Sequence, residues 1–156
     1  MTKVLFVCLG NICRSPTADG VFRHMLIEQG LTEKIEVDSC GTAGWHIGKA
    51  PDQRSQASAR RRGYDLSCLR ARQVNLKDFE TFDYILAMDE SNRQDLLAMS
   101  PNRYHEKIRL FLDYAQSTDL RAVPDPYYDG EAGFEQVLDL VEEACHGLIN
   151  QLRSSL

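Results

Sequence analysis

The chain has 156 residues, 26% of them charged and 43% hydrophobic, which is the make-up of one ordinary globular domain and excludes collagen, extended disorder and a disulfide-dense miniprotein. Net charge is −5, divided as +4 over residues 1–78 (12 Lys+Arg, 8 Asp+Glu) and −9 over residues 79–156 (6 and 15), which lacks the basic excess of a nucleic-acid binder. No run reaches the ~18 apolar residues of a membrane helix, and Val4–Leu9 is too short for the roughly 7–15 apolar residues of a secretory signal. A cytoplasmic protein with no nucleic-acid or membrane partner is expected. The basic half suits an anionic ligand, while Arg60-Arg61-Arg62 reads as a solvated helix face. Five cysteines, an odd number, argue against a disulfide framework. Some are expected as buried hydrophobes, with one or two left to be reactive.

In chain order, Lys3–Val7 is a short, nearly continuous apolar run, the pattern of a strand buried on both faces. Gly10 and Asn11 interrupt it, and Pro16 stands where a helix can begin without losing a needed N–H. Ala18, Val21, Phe22, Met25 and Leu26 then recur at helical spacing up to about Gly30. Ile35–Ser39 predicts a second strand, followed by a loop over residues 40–52 that holds Gly41, Gly44, Gly48 and Pro51. A helix over Gln53–Arg62 ends at Gly63. Tyr84–Ala87 is a third strand, and Asp89-Glu90 supply the acidic first turn of the helix after it. Ile108–Phe111 is a fourth. A loop rich in Asp and Pro leads to a long last helix whose stripe is Phe134, Val137, Leu138, Val141, Cys145, Leu148, Ile149 and Leu152. No repeat or linker divides residues 1–156, so a single domain is expected. Strands alternating with helices predict the α/β class: a four-stranded parallel sheet with helices on both faces. Ligands of such folds bind beyond the carboxyl ends of the strands, which directs attention to the loop after the first strand.

That loop reads Cys8-Leu-Gly-Asn-Ile-Cys-Arg14-Ser15-Pro16. A turn from strand into helix aims several backbone N–H groups at one point, where the helix dipole adds positive potential. Such a concavity holds a tetrahedral oxyanion, and Arg14 adds a planar cationic fork for two of its oxygens. Cys8, at the end of the strand, would lie beneath the phosphorus atom in a field that favours the thiolate. There it is a nucleophile set for in-line attack. The same residues can also be read as a buried core thiol and a surface charge.

Val7–Pro16, Val-Cys-Leu-Gly-Asn-Ile-Cys-Arg-Ser-Pro, resembles the phosphate loop of the low-molecular-weight protein tyrosine phosphatases. The likeness extends to Asp38-Ser39, Trp45, Ala71-Arg-Gln-Val74, Phe82-Asp-Tyr-Ile-Leu86, Met88-Asp-Glu-Ser-Asn92 and Asp125-Pro-Tyr-Tyr128. It implies a cofactor-free and metal-free phosphatase acting on protein phosphotyrosine and small aryl phosphates. Cys8 would form a cysteinyl-phosphate. Arg14 and the N–H groups of Leu9, Gly10, Asn11, Ile12, Cys13 and Arg14 would bind the phosphoryl group. Ser15 would donate to the Cys8 thiolate, Asn11 would adopt a left-handed conformation, and Ser39 would hold Asn11. Many relatives carry a His before the Ala-Arg-Gln segment that also braces the loop, and Leu69 stands in its place. The implied partners are phosphotyrosine proteins, a cognate tyrosine kinase and inhibitory phosphate-like oxyanions, the chain acting as a monomer or weak dimer.

A phenolate leaves with a pKa near ~10, so an acid is needed at neutral pH. His24, His46, His105 and His146 belong to no acid motif. Asp125 lies in a polar loop between Pro124 and Pro126, and a bound phosphodianion would favour its protonated form. A turn or helix-capping Asp is the bland reading, which Asp129-Gly130 fits better. Trp45, Tyr127 and Tyr128 can wall a pocket for an aryl group, although loop aromatics are often packing residues. Cys13 shares the loop with Cys8 and could trap an oxidised nucleophile as a disulfide, or be only a small apolar residue. Zinc on Cys8 and Cys13 with Cys40 or His46 has poor spacing. A thiol-linked arsenate reductase would need two closely spaced cysteines in the middle of the chain, where only Cys68 stands. A phosphate-recognition module without turnover would not need Cys8, Arg14 and Asp125 together.

Overall fold

A computed structural model covering residues 1–156 gives the architecture. Four strands, β1 (Thr2–Cys8), β2 (Ile35–Gly41), β3 (Tyr84–Ala87) and β4 (Ile108–Leu110), form one parallel sheet in the order β2-β1-β3-β4. The helices are α1 (Arg14–Glu28), α2 (Gln53–Arg61), α3 (Leu76–Thr81), α4 (Glu90–Met99) and α5 (Gly130–Arg153), with 3₁₀ turns at Asn102–Lys107 and Phe111–Tyr114. The expected α/β sheet is therefore present. From β1 the chain crosses to β2 on one side, and β3 and β4 then add on the other. The carboxyl ends of β1 and β3 form the switch point where such folds bind ligands.

Period-two alternation divides β1 between two cores. Val4, Phe6 and Cys8 face α1 and α5, with Phe22, Val137, Val141 and Leu148 in the same cluster. Leu5 and Val7 face α3 and α4, with Phe79 and Leu96. Phe6 is the pivot of the larger core, its ring edge-on to Phe22 at 5.6 Å and to Phe111 at 5.0 Å. Truncating so enclosed a ring costs about 3–5 kcal/mol, and Phe6 is two residues from Cys8.

Several boundaries differ from the pattern-based reading. α1 begins at Arg14, two residues before Pro16, because Pro still falls among the first-turn positions whose N–H is unpaired anyway. Phe111 leaves the fourth strand and opens a 3₁₀ turn instead. The short α3 has no long apolar period to reveal it. Its signal is local: Asn75 and Asp78 close a reciprocal capping box. The Arg60–Arg62 run is also not a freely solvated face. Arg62, 24% exposed, pairs with Glu135, Asp139 and Glu142, and Arg61 pairs with Glu131 and Glu135. Part of the charge imbalance between the two halves is thus neutralised inside the fold, between α2 and α5. No helix is long and apolar enough to cross a membrane.

Candidate active site

The site is built from the loop that joins β1 to α1. Its carbonyls are tied on the outside: Thr42 N–H donates to Cys8 O (2.9 Å), Ala43 N–H to Leu9 O (2.9 Å), Asp52 N–H to Ile12 O (2.7 Å) and Thr17 Oγ1 to Cys13 O (2.6 Å). A trans peptide points its N–H opposite to its C=O. The amide hydrogens of Leu9, Gly10, Cys13 and Arg14 are therefore left on the inner side. Gly41 permits this packing, because a Cβ there would stand 2.6 Å from the Leu9 carbonyl oxygen.

Asn11 reverses the loop at φ 57°, a conformation that Asn reaches more readily than most residues. Its side chain is fully committed. Oδ1 accepts from the Arg72 backbone N–H at 3.0 Å, and Nδ2 donates to Ser15 Oγ at 2.7 Å and Ser39 Oγ at 3.1 Å. Because a main-chain N–H can only donate, the amide orientation follows from the network. Ser15 Oγ is then an acceptor towards Asn11, which frees its hydrogen for Cys8 Sγ at 3.0 Å, with the Cys40 carbonyl a more distant alternative at 3.4 Å. Asn11 N–H also donates to Cys8 Sγ, at 3.2 Å. Two donors thus converge on the sulfur.

Arg14 is 4% exposed. Its Nη1 donates to Asp89 Oδ2 at 2.6 Å and to the Val123 carbonyl at 3.0 Å. Nε–H and both Nη2 hydrogens remain, a planar pair of donors suited to two oxygens of one anion. Burial works against the charge, but Cys8, Asp89 and Asp125 more than offset it and hold the guanidinium protonated. Asp89 also caps α4 by accepting from Asn92 N–H, so the residue orienting Arg14 is itself fixed at both carboxylate oxygens.

Cys8, Leu9, Gly10, Ile12, Cys13, Arg14, Trp45, His46, Asp125, Tyr127 and Tyr128 line one cavity of about 220 Å³. Asp125 is exposed there, and its Oδ1 accepts from Tyr127 N–H at 3.1 Å. The aromatic walls are open rather than buried. Trp45 is 70% exposed and Tyr128 92%, and Tyr127 packs edge-on against Tyr128 at 4.9 Å. Asn11, Ser15 and Ser39 stand behind the loop as its support. Leu69, in place of the bracing His, packs against the larger core, while the Arg72 N–H supplies a brace to Asn11 from the backbone.

Cys13 is buried at the start of α1. Burial, with the Asp52 carboxylate nearby, pushes its thiol up to about 12. Cys40 and Cys145 are fully enclosed, and burial raises both well above the ordinary range. Cys68 is exposed. Sequence reading missed Asp89 and the Val123 carbonyl as partners of Arg14, and gave His46 no place beside the phosphate loop. Asp89 carried a usable signal, an acidic residue directly after a strand that ends at the switch point. His46 had none, since it reaches the site only by packing over Gly10.

The low molecular weight phosphotyrosine protein phosphatase family model matches residues 3–156. The chain is 44% identical to the low molecular weight protein-tyrosine-phosphatase YfkJ of Bacillus subtilis over 153 residues, covering 98% of this chain and 97% of that one. Among solved structures, a protein tyrosine phosphatase of Entamoeba histolytica with Hepes in its active site superposes with a TM-score of 0.96 at 43% identity, covering 99% of each chain. A Drosophila arginine phosphatase superposes at 0.90 with 31% identity, covering 100% of each.

Proposed function

The chain belongs to the low molecular weight phosphotyrosine protein phosphatase family, and from that membership we propose that it hydrolyses protein phosphotyrosine and small aryl phosphates through a cysteinyl-phosphate on Cys8, with Asp125 as acid and then base. The observation that carries this reading is the convergence on one small cavity of a doubly hydrogen-bonded Cys8 Sγ, a pre-aimed Arg14 fork and the Asp125 carboxyl. Sγ attacks phosphorus in line with the departing phenol oxygen. Charge on the three equatorial oxygens meets the inner N–H groups and Arg14, where preorganised donors act most strongly. Asp125 gives its proton to the phenolate. In the second step the same carboxylate takes a proton from water as it attacks phosphorus, and Ser15 O–H stabilises the leaving thiolate.

Phosphotyrosine is the preferred substrate in this reading. Leu9, Ile12, Trp45, Tyr127 and Tyr128 offer apolar and aromatic surface to a phenyl ring. Because one structural neighbour is an arginine phosphatase, hydrolysis of phosphotyrosine, phosphoserine and phosphoarginine should be compared directly. Phosphotyrosine is expected to lead in kcat/KM, and a lead for phosphoarginine would overturn the assignment of substrate. Phosphate-like oxyanions should compete for the same cavity, and the cellular partners are phosphotyrosine proteins and the kinase that makes them.

Asp125→Asn is expected to lower kcat/KM for phosphotyrosine, which reports the steps up to departure of the phenol, by roughly 10²–10⁴, the usual reach of general acid catalysis. The loss should shrink on an ester whose phenol is already a good leaving group. Equal losses on both esters would remove Asp125 from the acid role.

We also propose that Cys13 protects Cys8 from irreversible oxidation. Peroxide converts the Cys8 thiolate to sulfenic acid, and the Cys13 thiolate attacks that sulfur with loss of hydroxide. With its thiol pushed up to about 12, Cys13 carries little thiolate at neutral pH. Closure should therefore quicken as pH rises from about 7 to 9. After peroxide and then dithiothreitol, the wild type is expected to recover more activity than Cys13→Ser, by a margin that widens with pH. Equal recovery at every pH would show that Cys13 does not act.

A further inference from the structure

Asp125 is carried by a segment with few ties to the rest of the fold. Val123 N–H donates to the Met88 carbonyl at 2.8 Å, which anchors the upstream end. From Pro124 to Asp129 the backbone makes local bonds, Asp129 N–H to Pro126 O and Tyr127 N–H to Asp125 Oδ1. A single hydrogen bond joins that stretch to another segment: Arg54 Nη1 donates to the Tyr127 carbonyl at 2.8 Å. Arg54 is at the start of α2 and is itself oriented. Its Nε and Nη2 reach the two carboxylate oxygens of Asp52 at 3.1 and 3.0 Å, and its backbone N–H donates to Asp52 Oδ1 at 2.8 Å. Its guanidinium carbon stands 5.0 Å from the centre of the Tyr127 ring and 4.7 Å from that of Phe134. Asp52 N–H in turn donates to Ile12 O, in the phosphate loop.

We propose that Arg54 is a positioning residue for the general acid: it couples the Asp125 segment to the phosphate loop through Asp52, and it does so at the Tyr127 peptide. The two faces of that residue explain how. Its carbonyl is held by Arg54 while its N–H holds Asp125 Oδ1, so fixing one end aims the other. The planar fork is essential to this role, because three N–H directions are used at once, two on Asp52 and one on Tyr127. An ammonium group is a point charge on a flexible stem and cannot reproduce that set. Stacking on Tyr127 and Phe134 adds cation–π attraction and restricts the guanidinium plane. Arg54 touches neither the phosphate nor the leaving group in this arrangement. Its influence falls on the two steps in which Asp125 moves a proton, protonation of the leaving group and activation of water, where small misplacements of a catalytic group are costly.

The proposal rests on Asp125 being the acid, and the test separates the two. Arg54→Met and Arg54→Lys are assayed beside Asp125→Asn and the double variant Arg54→Met/Asp125→Asn, on phenyl phosphate and on an aryl ester with a strongly acidic phenol. Both Arg54 variants are expected to lose about tenfold in kcat/KM, which reports the steps up to departure of the phenol, on phenyl phosphate and about twofold or less on the activated ester; every variant is compared in kcat/KM. The activated ester also serves as the check that the variants are folded. The double variant should be no slower than Asp125→Asn alone, since a residue that acts only through the acid has nothing to add once the acid is gone. If Asp125→Asn shows the leaving-group dependence while Arg54→Met loses equally on both esters, or Arg54→Lys matches wild type, Arg54 is not the positioning residue. Multiplicative losses in the double variant would overturn it as well. If Asp125→Asn itself shows no leaving-group dependence, the acid assignment fails, and the role of Arg54 falls with it.

Discussion

Cys8→Ser is expected to lose aryl phosphate turnover by about 10⁴-fold or more, while the wild type keeps full activity in EDTA. A hydroxyl ionises far less readily than a thiol, and the two groups hydrogen-bonded to the residue 8 side chain are not bases. Ser15 O–H and Asn11 N–H are donors towards that atom, so they stabilise an anion that is already formed and cannot generate one from an alcohol. The cradle itself depends on backbone N–H groups and Arg14, so Cys8→Ser should still bind inorganic phosphate with affinity close to wild type. Rapid quenching of the wild type with an aryl phosphate should leave a phosphoryl group on the peptide that contains Cys8. An active Cys8→Ser enzyme or a phosphoryl group on any other residue would refute the covalent mechanism, and inactivation by EDTA would refute its independence of metal.

The central residues of this site were legible because they are contiguous. Cys8, Asn11, Cys13, Arg14 and Ser15 fall within eight positions, bounded by an apolar run and a Pro-containing helix start, and local rules suffice to place them. The left-handed Asn11 is of the same kind, a local preference that its hydrogen bonds then fix. The sheet was legible for a related reason: strands buried on both faces, such as Val4–Val7, leave an unbroken apolar signature.

Two residues that orient the others, Asp89 and Arg54, were not read as such, because each arrives from a distant segment. Asp89, the cap of α4 two residues past β3, lies 75 positions after Arg14, and Arg54 meets Tyr127 across 73. Asp89 carries a local hint, its place just past a strand at the switch point, but no period or spacing encodes the meetings themselves. They follow from where the sheet places β3 and from how α2 packs on α5. The Arg60–Arg62 run illustrates the same limit. As sequence it is a charged helix face, and only tertiary packing reveals that Arg62 is enclosed by three carboxylates of α5. Charge runs are ambiguous for this reason: solvent and an opposing helix neutralise them equally well.

Arg14 provides the second large effect. Replacing it with Ala is expected to reduce kcat/KM for phosphotyrosine by about 10³–10⁵, the range seen when an arginine that neutralises a transferring phosphoryl group is removed. Arg14→Lys is the more informative variant. The buried guanidinium uses Nη1 for Asp89 and Val123 O and keeps Nε and Nη2 for the anion, so four directions are served by one planar group. Lysine retains the charge but has three donors and no plane, and cannot satisfy Asp89, Val123 and two phosphoryl oxygens together. It should therefore remain about 10²–10³-fold below wild type, the usual loss when a preorganised donor is misplaced. Asp89→Asn keeps an acceptor oxygen but removes the charge that fixes the fork, and a loss of about tenfold is expected, smaller because the plane and the Val123 bond survive. The ordering Arg14→Ala, Arg14→Lys, Asp89→Asn, from most to least impaired in kcat/KM, checks the argument. If Arg14→Lys lies within tenfold of wild type, positive charge alone suffices, and the aimed fork is not what the transition state uses.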